Sequence, residues 1–274
     1  MDSNRFNQIL VVDSIPAGEL NTAKRLFEDV KTHANAYAPS PAVHYLRVES
    51  GDEFIQCIRE CRKRADEQDI IPMLHVECHG DEDGLQFADG SLVDWDELKL
   101  PITDLNVATR LNLMIAVAAC TGGALAKVIR MSDRAPFWGL IGPTKTLTAG
   151  ELEKAFSALY LTMLSTKSPA KAVAAMDAAT APGAFWRTTA QGLFEKVWAR
   201  YKNEYCNPEV FEARAQRMRK RLLELSPTTL VTMEQIKSQL VNHEPKAFDR
   251  YRNSFFMCDL VAEHSERFSV QYVA

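Results

Sequence analysis

The residues LNLMIAVAAC, 111–120, constrain this chain most. The run is apolar almost throughout, as a central strand of a parallel sheet is when both its faces are covered. It stops on Cys120 and turns on Thr121-Gly122-Gly123. Two readings of that ending are open. One is a buried thiol followed by the start of a helix. The other is a nucleophile displayed at the end of a strand.

Such a strand needs parallel neighbours, and the sequence offers them. NQILVVDS (7–14), VHYLRV (43–48), IIPMLHVEC (70–78) and FWGLIG (137–142) read as strands, with Pro72 making the start of the third irregular. Helical spacing is expected between them over 19–37 and 51–67, and after the last of them over 148–166 and 168–180. Thr148 with Glu151 has capping-box spacing, and Ser168-Pro169 opens the last of these helices. LQFADGSLVDW (85–95) reads as a hairpin turning at Asp89-Gly90. DELKLPITDLN reads as a short helix broken at Pro101, and GGALAKVIRMSD (122–133) as helical.

Strand and helix therefore alternate over 7–180. The fold class expected is α/β, a mainly parallel sheet flanked by helices with right-handed crossovers. Pro182-Gly183 mark a change, so a boundary is drawn there. Residues 1–183 form the sheet domain. Residues 184–274 form an appended, mostly helical region with a regulatory or partner-binding role, whose last part could include strand.

Composition removes several function classes. Of 274 residues, 46% are hydrophobic and 25% charged, and the formal net charge is -4, so nothing asks for nucleic acid. The one basic cluster, RAQRMRKR (214–221), reads as a solvated helix face. No signal-like start and no bilayer-length apolar run is visible, and six cysteines without a compact framework suit a reduced, cytoplasmic protein. No membrane partner, metal or cofactor is expected. His75, Glu77 and His79 resemble a metal cluster only on paper.

Sites in open α/β sheets gather beyond the carboxyl ends of strands. His79 and Cys120 both fall at such ends, and each is followed by glycine. Neighbouring strands would place the two side chains over one crevice. An imidazole there can activate a thiol and then protonate a leaving amine. The backbone N–H groups of Gly80 and Cys120 are the natural donors to an oxyanion. His75 is expected to face a structural partner, Glu77, two residues on, and Cys78 to be buried. No residue earns a third catalytic place.

His79-Gly80 after LHVEC and Ala119-Cys120 after LMIAV resemble the caspase-like clan of cysteine peptidases, clan CD, which includes caspases, metacaspases, separases and the bacterial CHAT proteins. The hairpin GLQFADGSLVDWDEL and the helix GELEKAFSALYLTML are closest in pattern to the CHAT type. The resemblance covers about residues 7–180. Ala118-Ala119-Cys120-Thr121-Gly122 lacks the glutamine of the caspase signature, and Cys120 follows His79 by only 41 residues.

That resemblance implies a cysteine endopeptidase that cuts a partner protein at a restricted site. CHAT-type relatives imply a bacterial defence or cell-death setting, a dedicated effector such as a gasdermin-like protein, and an upstream activating protein. It also implies that Asp13, at the end of the first strand, lines the substrate pocket and favours Arg or Lys before the cleaved bond, as charge complementarity would. Asp13 has a second reading, as an Asx turn or helix cap. Asp81, Glu82 and Asp83 add negative charge beside His79. The alternative function is a catalytically inactive caspase-like scaffold for protein–protein interaction.

Overall fold

The computed structural model describes residues 4–36, 39–226, 228 and 230–272. The chain divides into two compact units, 1–129 with 135–190, and 130–134 with 191–274.

In the first unit, strands β1 (Gln8–Asp13), β2 (Ala42–Arg47), β3 (Pro72–Glu77), β7 (Met114–Ala118), β8 (Gly139–Pro143) and β9 (Phe185–Thr189) make one sheet in the order β2-β1-β3-β7-β8-β9. All neighbouring pairs are parallel except β8–β9. The expected α/β class is what the chain adopts. β1, β3, β7 and β8 are buried along their whole length, as their uninterrupted apolar runs require. Pro72 sits at the first position of β3, where its missing N–H disturbs the ladder least.

Helices α1 (Thr22–Ala34), α4 (Ala149–Thr166) and α5 (Pro169–Ala179) pack as one layer, and α2 (Gly51–Gln68) packs on α3 (Trp95–Ala108). Right-handed crossovers put α1 and α2 on opposite faces, because the chain steps outward from β1 to β2 and then back past β1 to β3. α1 buries Ala23, Leu26, Val30 and Ala34, spaced as one helical face. Each large side chain so buried stabilises by roughly 1.5–3 kcal/mol. The capping box of Thr148 and Glu151 forms, and Ser168 caps α5 ahead of Pro169. Tyr37, expected at the end of the first helix, lies outside the described residues.

Four sequence expectations are corrected. Pro101 does not break a helix: α3 runs through it, held by the buried face of Trp95, Leu98, Ile102 and Leu105. Residues Gly122–Lys127 form a 3₁₀ turn rather than an α-helix. Phe185–Thr189 is a strand, not part of the helical tail, so the sheet continues past the boundary drawn at 183. Its alternation of buried and exposed positions suits an edge strand. Finally, the described part of the last segment holds no strand.

His79–Gly80 form a short β4, which pairs antiparallel with β5 (Gly84–Gln86); β5 pairs in turn with β6 (Leu92–Asp94). The expected hairpin is present, and Gly90 has φ +87° at its turn. This small sheet begins directly where β3 ends.

The second unit is helical: α6 (Ala190–Tyr205, entered from the first unit), α7 (Pro208–Leu225), α8 (Met233–Phe255) and a one-turn α9 (His264–Arg267). Phe194 lies 5.4, 5.3 and 5.2 Å from the rings of Phe248, Phe255 and Phe256. Ala215, Ile236 and Leu240 make a second core between α7 and α8. Arg134 and Asp259 pair through two bonds of 2.7 and 2.6 Å. No described helix is long and apolar enough to cross a membrane.

Candidate active site

The order of strands reverses at β1: β2 lies to one side, and β3, β7 and β8 to the other. The crevice beyond the carboxyl ends of β1 and β3 is therefore the topological switch point, where open α/β sheets place their sites. The loops after β1, β3 and β7 all open there.

The register sets the two expected catalytic residues at the ends of neighbouring strands. Glu77 of β3 is the partner of Ala118 of β7, and two residues further along each chain stand His79 and Cys120. Their flanking residues pack closely. A Cβ on Gly80 would lie 3.1 Å from Ala119 Cβ and 3.1 Å from the Gly84 carbonyl. Only glycine lets the two strand ends approach this closely.

Cys120 is half-buried and free. Its carbonyl accepts from Thr121 Oγ1 at 2.7 Å. Thr121 has φ 55°, an uncommon conformation for a β-branched residue, and the chain there doubles back so that Gly122 N–H donates to the Ala119 carbonyl. A Cβ on Gly122 would come within 2.8 Å of Val117, and one on Gly142 of β8 within 2.7 Å of Gly122. The tight turn demanded by this packing is why the segment winds as 3₁₀. Gly80 pairs with Leu85, while the next residue, Asp81, donates its N–H to the Gly84 carbonyl. Antiparallel alternation then turns the Gly80 N–H away from β5, on the edge strand of the small sheet.

His79 is half-exposed, and its Nε2 lies 3.1 Å from Glu19 Oε1. Glu19 sits on the loop after β1. Sequence reasoning missed it, because the only signal was a carboxylate on a loop leaving the strand beside β3.

Asp13 does not line an open pocket. It is fully buried, and all its acceptor capacity is taken. Oδ1 accepts from Ile15 N–H at 2.9 Å and from Arg47 Nη1 at 3.1 Å. Oδ2 accepts from Asn21 Nδ2 at 2.7 Å and from the Tyr45 hydroxyl. The Asx-turn reading is the one this geometry fits, while Asn21 is the cap of α1. Asp13 clamps both ends of the loop that carries Glu19. Burial, then the bond to Asp13, pushes the Tyr45 phenol up to about 12.

His75 faces the α1–α4 layer. Its Nε2 meets Glu77 Oε1 at 3.0 Å, its Nδ1 meets the Tyr160 hydroxyl at 3.1 Å, and Thr22 donates to Glu77 Oε2. All four groups are buried and mutually satisfied. Burial raises the Tyr160 phenol far above its ordinary range, with the Glu77 charge adding to it. Cys78 is sealed, and burial raises its thiol likewise, which makes it inert.

No protein-family model matches the chain, and no curated protein matches it. Among solved structures it is similar to the crystal structure of caspase-1 from Spodoptera frugiperda, with a TM-score of 0.47 and 14% identity, over 69% of this chain and 88% of that one.

Proposed function

We propose that this protein is a cysteine endopeptidase with Cys120 as nucleophile and His79 as its proton acceptor. The observation that supports it best is the β3–β7 register with the close approach of Gly80 to Ala119, which sets His79 and Cys120 at adjacent strand ends.

The thiol proton passes to His79, and Cys120 Sγ attacks the peptide carbonyl carbon. The oxyanion takes hydrogen bonds from the N–H groups of Gly80 and Cys120. The imidazolium returns its proton to the leaving nitrogen, the C–N bond breaks and a thioester remains. A water then loses a proton to His79 and attacks the thioester carbon, and Cys120 leaves as the thiolate. No metal or cofactor enters the sequence.

The substrate is a protein partner cut at a restricted site. Because Asp13 is already neutralised, any preference for Arg or Lys rests on the exposed carboxylates of Asp81, Glu82 and Asp83.

Arginyl and aspartyl chloromethyl ketones test both points. Stoichiometric block of Cys120, faster with the arginyl reagent and lost in His79→Ala, is expected. Equal, slow reaction of all half-buried thiols would favour the inactive scaffold.

A further inference from the structure

We propose that Glu19 is the positioning residue of the site, holding His79 by Nε2 so that Nδ1 is turned to Cys120. The inference rests on the dyad reading above and adds a third member to it.

Three observations carry it. The Nε2–Oε1 separation is 3.1 Å, the distance of a hydrogen bond with Nε2–H donating. An imidazole whose Nε2 carries the proton has Nδ1 as its only basic atom, so this contact selects the tautomer that can accept a thiol proton. The loop carrying Glu19 is also built with care. Asp13 accepts from Ile15 N–H near its start and from Asn21 at its end, Arg47 Nη1 donates to the Ile15 carbonyl at 2.6 Å, and Ser14 Oγ donates to the Val48 carbonyl while accepting from Ala88 N–H, both at 2.9 Å. Gly18, at φ +92°, turns the chain just before Glu19. Asp13, Arg47 and Ser14 thus fix a short loop whose one contact with the strand-end histidine is the Glu19 carboxylate.

Two carboxylates of the loop that follows β4 are differently engaged. Asp81 accepts from the N–H groups of Asp83 and Gly84, and Glu82 stands 4.0 Å from Lys127. Among the described residues, Glu19 is the one that hydrogen-bonds the His79 side chain. Its carboxylate holds the far nitrogen of the ring, and with it the ring's orientation and tautomer, without touching the reacting atoms.

The test reads thiolate directly. Iodoacetamide alkylation of Cys120 is followed by peptide mapping at about pH 6 and about pH 9.5, in wild type, Glu19→Gln, Glu19→Ala and His79→Ala. Near pH 6 a thiol is little ionised on its own and alkylation needs a positioned base; near pH 9.5 the medium ionises a thiol without one. Both Glu19 variants are expected to react roughly fivefold more slowly than wild type near pH 6, as a half-exposed ion pair allows, and equally fast near pH 9.5, with unchanged melting temperature. Wild-type rates in both Glu19 variants, with His79→Ala slow near pH 6, would overturn the role of Glu19 and leave the dyad standing. A loss of equal size at both pH values would overturn it as a general disturbance of the loop. If His79→Ala also reacts like wild type at both pH values, the dyad itself fails.

Discussion

Gly80 and Ala119 stand in contact: a methyl group added to Gly80 would lie 3.1 Å from Ala119 Cβ, tighter than ordinary packing allows. The contact joins the end of β3 to the end of β7, beside His79 and Cys120. Gly80→Ala is therefore expected to destabilise by about 1–3 kcal/mol, as overpacking does. Cys120 alkylation near neutral pH should slow at the same time. Urea unfolding and thiol mapping on one sample check both.

Asp13 is expected to matter for stability rather than for specificity. Asp13→Ala leaves Arg47 without its buried partner and strips acceptors from Ile15, Asn21 and Tyr45. Breaking a buried pair from one side costs about 3–5 kcal/mol; Arg47 remains 31% exposed, so the lower end is expected. Equilibrium urea denaturation measures it. A fully stable variant with altered site preference would restore the pocket role.

Tyr160→Phe removes the donor to His75 Nδ1 and leaves a buried nitrogen unpaired. The expected loss is about 1–3 kcal/mol, seen as a lower melting temperature, with Cys120 reactivity retained because none of the network's bonds reaches Cys120 or His79.

The Tyr45 phenol, raised in the fold to about 12 from the ordinary phenol value of about 10, gives a pH signature. A folded value above the unfolded one means stability that is complete below about pH 10 and drains away as pH rises through about 12. Tyr45→Phe should be less stable than wild type at neutral pH, and the gap should close across that window. Denaturant midpoints taken at several alkaline pH values provide the check.

Much of this was legible from residue pattern. The apolar run ending at Cys120 announced a strand buried on both faces, Asp89-Gly90 announced its turn, and the two-residue spacing of His75 and Glu77 announced their pairing. What escaped depended on distant partners. Pro101 ends helices in isolation, but the packing of Leu98, Ile102 and Leu105 outweighs one missing hydrogen bond. Phe185–Thr189 becomes a strand only because β8 offers an edge. Asp13 looked available because Tyr45 and Arg47 are 32 and 34 residues away in the chain. Glu19 meets a histidine 60 residues distant, through a loop whose path only the tertiary fold sets.

Hydrolysis is proposed to run through Cys120 with His79. Wild type, Cys120→Ala and His79→Ala should be incubated with a cell extract and with candidate partner proteins, and new amino termini mapped. A small set of new termini present with wild type and lost in both variants is the result expected. The same termini from Cys120→Ala as from wild type would contradict the account.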